Sequence, residues 1–136
     1  MSLLVAIEGI DGTGKSTQVQ MLVNRLEKEI SEWGLPGVFS IAEPTDSIYG
    51  KKIREAMMEG GQRLPFHEEL ELFLADRRIN VEKNIKPRLE KGFVVVLDRY
   101  YFSTAAYQGT RGFMDYKTIL NMNEVFAPKP NMVFFI

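Results

Sequence analysis

The 136 residues carry 17 basic and 18 acidic side chains for a formal charge of −1, with 45% hydrophobic residues and no cysteine. This balance excludes a disordered chain, a disulfide scaffold, a thiolate metal site and a global positive field for gripping nucleic acid. The length fits one domain, residues 1–136, and the apolar runs are too short to span a membrane, so neither nucleic acid nor membrane is expected as a partner and a reducing, cytoplasmic setting is.

Leu3 to Glu8, LLVAIE, is rich in branched residues and stops at a glycine, the pattern of a buried parallel strand. After the loop GIDGTGKST, Val19, Leu22, Val23, Leu26 and Ile30 recur at helical spacing, which predicts a helix from Lys15 to about Trp33, broken by GLPG. Val38 to Ala42 predicts a second strand. EPTDS then favours a turn and a cap for a short helix from Ile48 to about Met58, closed by Gly60 and Gly61. From Pro65 to Lys91 the residues Leu70, Phe73, Leu74, Arg77, Val81 and Ile85 follow one helical stripe, and Pro87 should kink its last turns. Phe93 to Asp98, FVVVLD, is the clearest strand. The polar and aromatic stretch RYYFSTAAYQGTRG follows without an assigned element, then a helix from Asp115 to Phe126, a proline-bounded turn and a final strand, NMVFFI. Strands alternating with helices predict an α/β fold, a parallel sheet covered on both faces. Because the sequence ends inside an apolar strand, one face should lack cover, to be supplied by another chain or by the rest of a longer protein.

The segment Gly9 to Ser16 fits G-x-x-x-x-G-K-[ST], with a predicted strand before it and a predicted helix after it. Glycines at Gly9, Gly12 and Gly14 let the backbone of Ile10, Asp11 and Thr13 wrap around phosphates, and the loop opens on a helix N-terminus that favours anions. Lys15 would reach the terminal phosphates of ATP, Ser16 would place its hydroxyl on Mg2+, and Thr17 follows in the first turn. Asp98, closing a buried strand, is the candidate acid for the metal's hydration shell, or else a cap for the next helix. The two motifs together indicate a purine nucleoside triphosphate and magnesium. They leave kinase, GTPase and motor open, although the guanine-reading N-K-x-D motif is absent from this sequence.

Four stretches taken together, GIDGTGKST, LELFLADRR at Leu70 to Arg78, DRYYFSTAAYQG at Asp98 to Gly109, and PKPNMVFF near the end, resemble the thymidylate kinases over essentially the whole chain. The resemblance implies a P-loop-type parallel sheet with helices on both faces, ATP-dependent phosphorylation of deoxythymidine monophosphate to the diphosphate, Mg2+ as cofactor, and a homodimer. Phe73 and Arg77 are i and i+4 on a helix and share a face. On spacing alone they read as core beside a solvated arginine, whereas the resemblance implies stacking on the thymine ring and a hydrogen bond to a base carbonyl. It also implies that Arg99 clamps the acceptor phosphate, as a planar guanidinium fork can. It further implies that Tyr107 packs on the sugar and base, that Thr104 and Gln108 lie near the base, and that Asp11 accepts from the sugar 3′-hydroxyl. Turn stabilisation is the other reading of Asp11.

A phosphate monoester acceptor is already anionic near neutral pH, so no side chain need take its proton. A nucleoside acceptor would need a base, and Glu43 is the residue placed to be one. The chain departs from the family pattern at three points. None of Ile10, Asp11, Gly12 and Thr13 is basic, so the catalytic arginines are expected in a lid after Ile136. Loss of such an arginine typically costs about 10³ to 10⁵ in rate, so the 136-residue chain alone is expected to turn over slowly. Ala42 stands where many relatives have a basic residue, and Arg54 is the candidate to replace it at the acceptor phosphate. Asn131 stands in place of a common aspartate.

Overall fold

The computed structural model describes residues 2–58, 60–112 and 114–136. Four strands, β1 (Leu3–Glu8), β2 (Val38–Ala42), β3 (Val94–Asp98) and β4 (Met132–Phe135), form one sheet in the order β2-β3-β1-β4, with every neighbouring pair parallel. Both faces of β1 and β3 are covered, as the alternation of elements predicts, while the expected gap in cover falls at β4, where Phe134 and Phe135 are exposed. Helix α1 (Lys15–Glu29) lays Val19, Val23 and Leu26 on Ile7, Val94 and Val96. On the other face Leu4, Ala6, Val95 and Leu97 pack against Val81, Ile85, Tyr100, Tyr101 and Ala127. The two sets alternate along β1 and β3 because successive side chains of a strand point to opposite faces.

The register carries the site. Ile7 pairs with Asp98 and Ala42 with Asp98, so the carboxyl ends of β1, β2 and β3 lie side by side. The glycine loop, Glu43 and Arg99 leave the sheet at this one edge, where ligands bind in open α/β sheets.

Two of the three predicted helices before β3 differ in extent. Helix α1 stops at Glu29, short of Trp33, because Gly34, at φ +70°, turns the chain back and Leu35 N–H bonds to the Ile30 carbonyl. Leu35 then joins the cluster under α1, while Trp33 is exposed. Helix α2 (Ile48–Met57) begins where predicted, with Ser47 as its cap accepting from Gly50 N–H. The long Pro65–Lys91 stripe is three pieces, α3 (Phe66–Asn80), a π turn (Val81–Ile85) and α4 (Lys86–Glu90). Pro87 can donate no hydrogen bond and its ring crowds the carbonyl four residues back. The chain widens one turn earlier, with Lys86 N–H reaching the Val81 carbonyl, and Val81 and Ile85 stay fully buried.

The largest difference is α5 (Tyr101–Gly112), a helix in the stretch given no element. Ser, Thr, Tyr and Gly are indifferent or poor helix formers, so propensity argues against it. Its buried residues, Tyr101, Thr104, Ala105 and Gln108, nevertheless keep helical spacing. Two of these four residues are polar, so apolar periodicity does not reveal the stripe. Helix α6 (Tyr116–Glu124), capped by Asp115, packs against α5. Asn131 opens β4 with a two-way link to Leu4: its side-chain oxygen accepts from Leu4 N–H at 2.8 Å and its own N–H bonds to the Leu4 carbonyl at 2.8 Å. Along β4, the edge strand, Phe134 and Phe135 are exposed.

Candidate active site

Gly12 and Gly14 take φ of +80° and +82°, left-handed values that residues with a Cβ rarely adopt. Gly14 is the N-cap of α1 and has no side chain to occupy the first-turn N–H groups, which are therefore free for an anion. Lys15 Nζ donates to Asp98 Oδ1 at 2.6 Å, and Ser16 Oγ donates to Asp98 Oδ2 at 3.4 Å. The loop and the end of β3 thus face each other as the two motifs require. Thr17 is exposed in the same turn. Among the described residues no group of three or more His, Asp or Glu side chains gathers to hold a metal by itself. A hydroxyl and one carboxylate beside a phosphate cradle fit Mg2+, which takes few protein oxygens and completes its shell with phosphate and water.

Beside the loop lies a cleft lined by Glu43, Phe73, Arg77, Arg99, Thr104, Tyr107 and Gln108, together with Met57, Pro44, Tyr100 and Ser103. Phe73 is half-buried and Arg77 almost fully buried, so the arginine is not solvated. Its Nε donates to Glu43 Oε1 at 2.8 Å, Nη1 to Asn123 Oδ1 at 2.6 Å and Nη2 to Thr104 Oγ1 at 3.0 Å. Asn80 Nδ2 holds the other Glu43 oxygen at 2.8 Å. Arg99 has φ +74°, and its guanidinium pairs with Asp11 of the loop. This pair joins the phosphate cradle to the cleft wall.

A family model described as thymidylate kinase matches residues 7–136. The chain belongs to the thymidylate kinase family. It is 47% identical over 133 residues to the thymidylate kinase of Desulfotalea psychrophila, covering 98% of this chain and 62% of that protein. It is 44% identical over 134 residues to a probable thymidylate kinase of Archaeoglobus fulgidus, covering 98% of this chain and 63% of the relative. The crystal structure of thymidylate kinase from Ehrlichia chaffeensis superposes with a TM-score of 0.83 at 32% identity, covering 99% of this chain and 74% of that one. The chain therefore spans somewhat under two thirds of the length of these curated relatives.

Within this family framework, two candidate residues lie outside the cleft lining. Arg54 is turned away from it: Nη1 donates to the Pro44 carbonyl at 2.7 Å, and Nη2 to the Thr45 carbonyl at 2.8 Å and to Asp46 at 2.7 Å. It braces the turn after β2 and does not line the cleft. Asp11 sits on the loop with a side chain that is 92% exposed, reaching the cleft only through Arg99.

Several buried polar residues were missed. Glu8 accepts from Tyr100 N–H at 3.2 Å, Ser103 N–H at 3.0 Å and the Ser103 hydroxyl, pinning the start of α5 to the base of the glycine loop. Asp76 accepts from Thr45 N–H at 2.9 Å and the Ser47 hydroxyl at 2.7 Å, and so fixes the turn that presents Glu43. Burial pushes the carboxyls of both Glu8 and Glu43 above the usual carboxylate range, against the opposing pull of their hydrogen bonds and of Arg77. The available signal for Glu8 was its place, a charged residue ending an apolar strand. Asn80 and Asn123 carried none. No helix among the described residues is long and apolar enough to cross a membrane.

Proposed function

We propose that this protein transfers the γ-phosphoryl group of ATP to deoxythymidine monophosphate, giving the diphosphate. The observation that carries this reading is the convergence of Phe73, Arg77, Thr104, Tyr107 and Gln108 with Arg99 in one cleft next to the glycine loop. A flat ring and donors stand at one end, for a base, and a guanidinium fork stands near the loop, for a monophosphate. ATP would lie in the glycine loop, its terminal phosphates at Lys15 and the first-turn N–H groups of α1. Ser16 and Asp98 would hold Mg2+, which when bound neutralises charge on the phosphates. The chain's part in the reaction is then to align donor and acceptor and to offset charge, since the acceptor phosphate needs no base.

The nucleoside-kinase reading is disfavoured by Glu43. Its side chain is 3% exposed and both oxygens are already bonded, to Arg77 and Asn80, so taking a hydroxyl proton would disrupt a buried ion pair. A non-catalytic binding module is disfavoured by the Lys15, Ser16 and Asp98 arrangement, which brings the phosphate-reaching lysine and the candidate magnesium groups together. The homodimer belongs to the same reading, and sedimentation velocity tests it.

The test is an acceptor panel with ATP and Mg2+: deoxythymidylate, deoxyuridylate, deoxycytidylate and thymidine, read as diphosphate or monophosphate formed. Preference for deoxythymidylate is expected. Equal or faster use of thymidine, deoxyuridylate or deoxycytidylate overturns the assignment. Binding by calorimetry accompanies it, because it reads nucleotide recognition apart from turnover.

A further inference from the structure

Behind the cleft, Glu69 of α3 is 1% exposed and carries no function in the reading above. Its carboxylate is gripped by Arg111 Nη1 at 2.6 Å and by Arg63, whose Nη2 and Nε lie at 3.1 and 3.2 Å. The remaining partner is the side-chain carboxamide of Gln108, which is fully buried and lines the cleft. A carboxylate offers only acceptors, so the Gln108 atom that faces Glu69 must be the amide nitrogen. The amide oxygen therefore has one orientation. Among the described residues Gln108 Oε1 is the one buried side-chain polar atom without a hydrogen-bond partner. An orphaned buried acceptor is costly, and a donor brought by a ligand would relieve it.

We infer that Glu69 is a positioning residue for base selection: it locks the Gln108 carboxamide so that only an acceptor is offered to the base in the cleft. The inference rests on the deoxythymidylate reading and deepens it. Arg77 uses three N–H groups on Glu43, Asn123 and Thr104, and a guanidinium has five, so it keeps donors in the cleft that Gln108 also lines. A donor next to an acceptor matches the adjacent C=O and N–H of the imide edge of thymine or uracil. Cytosine reverses both, with an amino donor and a ring-nitrogen acceptor. A freely rotating Gln108 could flip and greet cytosine with its amide nitrogen. Glu69 forbids that flip, so the carboxylate rejects the wrong base without touching either one. Arg63 and Arg111 offset the charge that makes the lock possible.

The experiment measures deoxythymidylate and deoxycytidylate binding to this chain by calorimetry, in the wild type and in Glu69→Gln. Glutamine at 69 can both give and accept, so Gln108 becomes free to turn. The preference for deoxythymidylate is expected to fall about tenfold, through both weaker deoxythymidylate and stronger deoxycytidylate binding. A purely structural role would weaken both ligands together and leave their ratio intact, and that result overturns the inference while leaving the proposed function standing. If the wild type binds no deoxythymidylate, the proposed function itself fails and this inference with it. A second measurement needs no variant. The Gln108 side-chain amide protons, followed by 15N-resolved NMR, should exchange slowly with solvent and stay bonded to Glu69 when deoxythymidylate is added. Rapid exchange, or loss of that bond on binding, overturns the lock.

Discussion

Arg77 and Glu43 form a buried ion pair, Nε to Oε1 at 2.8 Å, that ties α3 to the end of β2 across the floor of the cleft. Both side chains are at most 3% exposed, so each charge depends on the other. Replacing Glu43 with alanine leaves a buried guanidinium without its counter-ion, which typically costs about 3 to 5 kcal/mol. Glu43→Ala is expected to lose stability on that scale in urea melts, and to lose deoxythymidylate affinity because Arg77 is no longer held toward Thr104. A loss below about 1 kcal/mol would mean that water reaches the pair and that the cleft floor is looser than its geometry.

How far the sequence could be read follows from where polar residues sit. Strands β1 to β3 and the start of α1 were legible because their side chains obey the rule that apolar means inside. The glycine loop was legible because its chemistry allows few residue types. Phe73 and Arg77 could be placed on one face by spacing, but their ambiguity between core and site needed the Arg77 network to resolve. Helix α5 and the polar residues Glu8, Glu69, Asp76 and Asn123 were not legible, because a buried polar side chain looks like a surface one until its partners are known. Each of them finds its partner on another element, far off in sequence: Glu8 on Ser103, Asp76 on Thr45, and Asn123 on Arg77. Pattern analysis within one element cannot register such pairs.

Phe73 lines the cleft with Arg77 one helical turn on, and it is only half-buried. A stacking residue and a core residue differ in what their loss does to the two nucleotides. Phe73→Ala is expected to weaken deoxythymidylate binding at least tenfold, since base stacking on an aromatic ring is typically worth about 1 to 3 kcal/mol. ATP binding should change less than twofold. Parallel titrations check this, and equal losses for both ligands would assign Phe73 to the core.

Arg99 holds φ +74°, a left-handed conformation that costs a non-glycine residue roughly 1 to 2 kcal/mol. Its N–H is fixed by the Ile7 carbonyl at 2.9 Å, so the backbone cannot relax without breaking the junction between β3 and the cleft. Glycine takes this conformation freely but costs roughly 0.5 to 1 kcal/mol in unfolded-state entropy. Arg99→Gly should therefore leave stability unchanged or raise it by up to about 1 kcal/mol. The same change should weaken deoxythymidylate at least tenfold by removing the guanidinium fork, with little effect on thymidine, which lacks the phosphate. Denaturant melts and calorimetry read the two effects separately. A marked loss of stability, or equal weakening of both ligands, would show that Arg99 serves the fold and not the phosphate.

Glu8 offers a pH test of the link between the glycine loop and α5. Burial raises its folded-state pKa above the ordinary 4.5, despite hydrogen bonds from Ser103 and Tyr100. As pH rises past 4.5 the unfolded chain releases this proton first, while the folded chain keeps it. In that window the folded state binds more protons, so the slope of unfolding free energy with pH is negative. Glu8's contribution is greatest below its unfolded pKa and is lost as pH rises through the folded value. Glu8→Gln cannot ionise and has no such slope, only a pH-independent offset from the amide that now meets the same donors. The wild type's stability relative to Glu8→Gln should therefore decline as pH increases from 4 toward 8, by about 1.4 kcal/mol for each pH unit between the unfolded and folded pKa values. Glu43 titrates in both proteins and cancels in the comparison. A difference that is flat or grows with pH would mean that the Ser103 and Tyr100 hydrogen bonds outweigh burial and that Glu8 stays charged throughout.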